Sequence, residues 1–155
     1  MVRWLSDDEQ ATWQAYVRLR QRLDGAISAG LAEDHLSLAD YELMVALSAA
    51  PNGCLRAKEL AAEVCWEKSR LSKHLARMDA RGLVERRPAE EDARGIIVQL
   101  TPEGRVALER AAPNHVDLVR RVFVEPMTVA EARTLRALAD KVVAEVEQVT
   151  ELGGA

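Results

Sequence analysis

One stretch, Glu59 to Thr101, limits what this chain can fold into more than any other. It reads as helix, tight turn, second helix, then a two-stranded hairpin with a basic tip. On a wheel of 3.6 residues per turn, Leu71, Leu75 and Met78 of the second helix share one face, at the i, i+4, i+7 spacing of a buried stripe. Ser69, Lys73, Ala76 and Ala80 fall on the opposite face, with Arg70, Ser72 and Arg77 on its shoulders. That outer face is small, polar and basic, and it carries no acidic residue. Such a face can approach a polyanion closely and offer hydroxyls and cations to phosphates and base edges.

Arg81-Gly82-Leu83 follows, with Gly82 suited to the left-handed conformation that ends a helix. Leu83–Arg87 and Ile96–Leu100 are strand-like in composition, and Pro88 to Gly95 between them is polar and turn-rich. The expected class is mainly α (α+β), a winged helix-turn-helix with flanking helices. Glu67–Arg81 would enter a major groove through Ser69, Arg70, Ser72, Lys73 and Arg77. Arg94 at the wing would reach a neighbouring minor groove, held by Asp92 through a charge-assisted bond. Arg56, Lys58, Arg86 and Arg87 are candidates for phosphate contact.

The segment resembles the DNA-binding core of the MarR family of bacterial transcription regulators. The residues that carry the likeness are Trp66 to Leu75 (WEKSRLSKHL), the Arg81-Gly82-Leu83-Val84 exit, the wing Asp92-Ala93-Arg94-Gly95, and Leu100-Thr101-Pro102-Glu103-Gly104. The wing and the Leu-Thr-Pro-x-Gly helix start are specific as a pair. The likeness extends over nearly the whole chain, because the flanking helices match the family's dimerisation elements in order and length. It departs at Cys65, where many helix-turn-helix units carry Gly, and at Arg70, bulkier than the small hydroxyl residue often found there.

Length and charge are compatible with this reading. A chain of 155 residues suggests one compact protomer, with 30% charged and 48% hydrophobic residues. No apolar run is long enough to span a bilayer, and the start lacks a signal-peptide core, so a cytoplasmic protein with reduced cysteines is expected. The net charge of −4 argues against a polyanion partner until its distribution is considered. Cys54 to Leu100 holds 10 basic and 8 acidic residues, and the acidic excess lies elsewhere. The local field governs phosphate contact.

The flanks are helical. Ser6-Asp7-Asp8-Glu9 is a capping box, and Trp13, Tyr16, Arg20, Leu23 and Ile27 form a stripe down a helix that Gly30 and the following residues end. Arg20 reads as a snorkelling or paired cation at a helix interface. Alternatively it binds an anion in a ligand pocket, with Trp13 and Tyr16 as stacking walls and His35 and Tyr41 as further contacts. Ser37 caps a second helix, Cys54-Leu55 adds a short strand, and Arg56 to Val64 is the first helix of the motif. Thr101-Pro102 starts a long helix in which Pro113 should produce a kink, an outcome the family likeness favours over two separate helices. A last helix, capped by Thr128-Val129-Ala130-Glu131, carries Leu135, Leu138, Val142, Val146 and Val149, a seam for a partner helix.

Residues 36–101 are therefore expected to form the winged helix-turn-helix, with 6–35 and 102–150 as dimerisation helices. A symmetric homodimer would place two recognition helices on an inverted repeat of double-stranded DNA. The expected function is a transcriptional regulator, a repressor, released from DNA by a small anionic or phenolic effector. No catalytic residues, cofactor, metal site or membrane partner is expected, since His35, His74 and His115 each lack a second ligand at metal spacing. His74 reads as a packing or phosphate contact. Cys65 and Cys54 read as small buried residues. Two alternatives stand beside this reading: a redox sensor acting through Cys65, whose thiol precedes the recognition helix, and a winged-helix module for a protein partner.

Overall fold

The computed structural model describes residues 2–90 and 92–153, without the side chains of 92, 93, 151 and 152. The chain runs α1 (Asp7–Glu33), α2 (Leu38–Ala49), a short 3-10 turn (Pro51–Gly53), β1 (Cys54–Arg56), α3 (Ala57–Glu63) and α4 (Lys68–Ala80). It continues with β2 (Val84–Ala89), β3 (Asp92–Leu100), α5 (Pro102–Val119), a π-helical stretch (Arg120–Val124) and α6 (Val129–Gly153). The described residues form two compact units, divided between Val116 and Asp117.

The first unit has one core. Leu43, Met44 and Leu47 of α2, Leu60 of α3, and Leu71, Leu75 and Met78 of α4 meet Val84 of β2 and Val98 of β3, all buried. Leu31, Leu108 and Ala111 extend the core along α1 and α5. The buried residues of α4 are those of its sequence stripe. The sheet is antiparallel in the order β1-β3-β2, with Leu55 opposite Val98 and Val84 opposite Leu100.

Three helices end in one way. After α1, α3 and α4 a residue with positive φ turns the chain: His35 (59°), Cys65 (53°) and Gly82 (73°). In each case the next residue's N–H bonds back across the last turn: Leu36 to Leu31, Trp66 to Ala61 and Leu83 to Met78, all to carbonyl oxygens. This closure satisfies carbonyls that the helix end leaves unpaired. Gly82 adopts the left-handed conformation without strain, whereas Cys65 and His35 do so against the steric preference of a residue with a Cβ. Cys65 is exposed and Cys54 half-buried, so neither is the buried residue expected. The turn holds Cys65 at its outer bend, where its side chain has no core to enter.

α1 runs through Gly30 and ends at Glu33, among the residues expected to close it, with Leu31 buried in the core. α5 is one helix through Pro113, not two separate ones, and a π-helical stretch follows it. Two further expectations are corrected. α4 spans Lys68–Ala80, with Glu67 and Arg81 as its caps rather than its ends. The hairpin is longer than its strand-like residues suggested: Pro88 pairs with Ile96 and Ala89 with Asp92, so residues 93–95 bulge from the ladder. A buried Ala89 anchors that end, which composition alone reads as loop.

Thr101 joins the wing to α5. Its hydroxyl donates to the Gly82 carbonyl (2.6 Å) and accepts from the Gly104 N–H (2.9 Å), and its own N–H reaches the Leu83 carbonyl. A Cβ on Gly104 would stand 2.0 Å from that Leu83 oxygen. The Leu-Thr-Pro-x-Gly start therefore locks α5 onto the exit of α4.

Asp40 makes the second tie. Its carboxylate is buried beneath α4 and accepts from the Ser37 N–H (2.9 Å), His74 Nε2 (2.8 Å) and Arg81 Nη1 (2.7 Å). Burial alone would raise its pKa. The hydrogen bonds from Ser37, Arg81 and His74, with the Arg81 charge, outweigh burial and hold the carboxyl below its ordinary value.

Two outcomes are expected. Gly104→Ala should lower stability by about 1–3 kcal/mol, because backbone must move to admit the methyl group; chemical denaturation measures it. Asp40, with its folded pKa depressed, contributes stability that is present above the unfolded carboxyl pKa of about 3.9 and lost as pH falls through the folded value. Asp40→Ala should cost about 1–3 kcal/mol at neutral pH, because His74 loses its buried acceptor while the exposed Arg81 stays solvated. Asp40→Asn should flatten the acid limb of the stability profile.

Candidate nucleic-acid interface

α4 is amphipathic in a simple way. Its buried stripe faces the core, and Ser69, Arg70, Ser72, Lys73, Ala76 and Arg77 are exposed. Ser72 and Lys73 have no hydrogen bond or ion pair among the described residues, so the middle of the helix presents a hydroxyl and an ammonium group outward.

The first turn is organised differently. Glu67 caps the helix, accepting from the backbone N–H groups of Ser69 (2.9 Å) and Arg70 (3.2 Å). Its carboxylate also takes the Ser69 hydroxyl, and these bonds, the hydroxyl's first, lower its pKa. An acidic group thus stands at the start of a surface expected to be free of them, and it engages the hydroxyl of Ser69. The cap is local and its partners lie two and three residues away, so the signal was available: a carboxylate directly before a helix start.

Arg70 stacks on Trp66, its guanidinium carbon 3.7 Å from the ring centroid. Trp66 also meets His74 edge to face, with centroids 5.5 Å apart and planes at 84°. Arg77 donates from Nη2 to Nδ1 of His74 at 2.9 Å. Because a guanidinium only donates, Nδ1 must accept, so His74 is neutral with its proton on Nε2, directed at Asp40. The packing role expected for His74 is thus met through polar partners.

The remaining candidates are dispersed. Arg86 is paired with Asp79 (2.9 Å). Arg87 and Lys58 are exposed, Arg56 is half-buried at the cap of α3, and Arg94 is exposed in the bulge of the wing. The bond expected between Asp92 and Arg94 lies outside the described residues.

The five ligand candidates do not surround one cavity. Trp13 and Tyr16 are both exposed on α1, ring centroids 5.5 Å apart, and Arg20 is exposed one turn on. Tyr41 is buried against His115 at 4.4 Å. Burial lowers the pKa of His115, whose Nδ1 has no partner among the described residues. Trp13 lines a cleft of about 630 Å³ along α1, and His35 lines a different one of about 590 Å³ with Ser28, Asp40, His74, Arg77 and Arg81. Sequence reasoning missed Asp40 and Arg81, whose pairing spans 41 residues and leaves no local signature.

Known proteins share this fold. The sequence model of the MarR family matches residues 36–95. AbsC, a MarR family transcriptional regulator from Streptomyces coelicolor, is 31% identical with a TM-score of 0.89, over 95% of this chain and 99% of that one. Sco3205, a MarR family transcriptional regulator from the same organism solved in complex with DNA, is 34% identical with a TM-score of 0.86, over 93% and 91%. The HTH-type transcriptional regulator PecS of Dickeya dadantii is 27% identical over 81% of this chain and 75% of its own length. The chain belongs to the MarR family and is a DNA-binding transcriptional regulator.

Proposed function

We propose that the protein is a homodimeric repressor that binds an inverted repeat through α4 and the wing and is released by a small anionic or phenolic ligand. The observation that carries the reading is the outward row of α4, where Ser72 and Lys73 are exposed without partners among the described residues. Hydroxyl and ammonium groups at this spacing suit phosphates and base edges in a major groove. Arg94 suits an adjacent minor groove, and Arg87 and Lys58 suit phosphates. The helix-turn-helix and wing occupy 36–101, and 6–35 and 102–150 serve dimerisation. A regulator of this kind acts in the cytoplasm.

The dimer is supported by apolar residues with nothing to cover them. Along α6, Leu138, Val142, Val146 and Val149 are all exposed, at helical spacing. Trp13, Tyr16 and Leu19 of α1 and Val116 of α5 are exposed as well. A helix built this way gains little by remaining alone in water, and a second copy offers a matching seam. Twofold symmetry then places two copies of α4 on two half-sites one helical turn apart.

The effector site is the cleft beside Asp40. Arg77, Arg81 and His35 line it, and Ser28 adds a hydroxyl. A carboxylate or phenolate entering there would compete for the cations that Asp40 and His74 hold, and so would shift α4 between two settings. The exposed sulfur of Cys65 supports a second reading, in which oxidation replaces the effector. The protein-interaction alternative draws on no feature of the structure.

Binding to a duplex selected from a random pool should be salt-steep, and Lys73→Ala and Arg94→Ala should each weaken it. If Arg94 touches phosphate, its loss should reduce the salt slope by about one phosphate equivalent. Wild-type affinity for both variants in a fluorescence-anisotropy titration would remove the assignment. A hydroxybenzoate should release the duplex from wild type but not from Arg81→Gln; peroxide sensitivity abolished by Cys65→Ser would favour the second reading instead. Sedimentation should give a dimer for wild type and a monomer for Val142→Glu, since a charge in the seam cannot be paired across it. A monomeric wild type would sink the inverted-repeat model.

A further inference from the structure

Four side chains on and before α4 form one connected row. Arg70, His74 and Arg77 follow one another at intervals of four and three residues, so they share a stripe of the helix, and Trp66 stands at its foot. Arg70 lies on the Trp66 ring, Trp66 meets the His74 ring edge to face, and His74 accepts from Arg77. The opposite side of His74 is fixed by the buried Asp40 carboxylate. Both arginines that flank the outward row are thus held by aromatic rings that are themselves held.

We infer that Trp66 and His74 are positioning residues, which set the two guanidinium groups before DNA arrives and thereby determine how sharply the protein separates its operator from other DNA. The inference rests on reading α4 as the helix that enters DNA. Three physical points lead to it. An arginine side chain is long and loses much rotamer freedom when it docks, so restraining it in advance favours the one geometry that bonds a guanine edge at two points. Cation–π stacking restrains Arg70 without using its N–H donors, which leaves them for a base edge. The neutral His74 tautomer supplies an acceptor to Arg77 while Asp40 keeps that tautomer in place. Phosphate contacts need no such precision, because they add affinity on any sequence.

The test compares affinity for the duplex that wild type selects from a random pool with affinity for a scrambled duplex of equal length. Trp66→Leu and His74→Gln should each reduce that ratio roughly tenfold, the scale of one lost arginine–base contact. Trp66→Phe, which keeps an aromatic face, should restore most of it. A protein that had merely lost its fold would lose both affinities together and its thermal transition. NMR of the intact protein supplies an independent arm. His74 should show the tautomer protonated at Nε2, and the Arg70 side-chain signals should carry a ring-current shift that Trp66→Leu abolishes. If Arg70→Ala and Arg77→Ala reduce the ratio while Trp66→Leu and His74→Gln do not, this inference fails and the DNA-reading role of α4 stands. If neither arginine change alters binding, that reading fails and the inference with it. A His74 protonated at Nδ1, or an unshifted Arg70, also overturns it.

Discussion

A single buried carboxylate decides how α4 is set. Asp40 begins as a helix cap, bonded to the Ser37 N–H within its own turn. Beneath α4 the capping Oδ2 also accepts from Arg81, and the second oxygen, Oδ1, accepts from His74, two turns earlier on the helix. An uncompensated charge there would be costly, so α4 is favoured only in the rotation and height that deliver both partners. The hydrophobic stripe of Leu71, Leu75 and Met78 decides which face is inward, and apolar packing tolerates small slides. Hydrogen bonds to a fixed carboxylate tolerate them less, because their strength falls steeply with misalignment. Recognition of base edges needs that finer setting.

The same carboxylate connects the surface to the cleft. Asp40 fixes His74, and His74 engages Arg77 on the exposed side. Arg81 spans the gap to the His35 carbonyl at the end of α1. Under the proposed function, an anion in the cleft and DNA on α4 would address an overlapping set of cations. Coupling of two sites needs only that each prefers a different arrangement of the shared groups. No long pathway would be required, since Arg77 belongs to the cleft lining and to α4 alike.

Much of this was legible in the sequence, and the division follows the range of the interactions. The α4 stripe, the Ser6, Ser37 and Thr128 caps, the Gly82 exit and the pairing of Leu83–Arg87 with Ile96–Leu100 are set by neighbours within a few residues, and periodicity and capping rules report them. The Asp40 cluster joins residues 34 and 41 apart, and a capping aspartate gives no sign that its other oxygen is buried. Cys65 appeared as a small residue suited to burial, but the helix-ending turn places it at the outer bend, and φ rather than hydrophobicity governs that position. Arg86 appeared free for phosphate and is paired with Asp79 across the hairpin foot. Gly104 was legible as part of a motif, and its reason emerged only with the Leu83 carbonyl against it. The apolar excess of the terminal helices was visible in the α6 spacing, and the exposure of Val142 and Val146 agrees with it.

Native-state amide hydrogen exchange, compared between wild type and Asp40→Asn, tests the role of the carboxylate most directly. Exchange reports local opening free energies element by element, so loosening of one helix is separable from global unfolding. The expected result is a selective loss of protection at the amides of Leu71 to Met78, with the β2–β3 ladder unchanged. Equal protection of α4 in the two proteins would contradict the claim that Asp40 sets this helix, and so would a uniform loss across both elements.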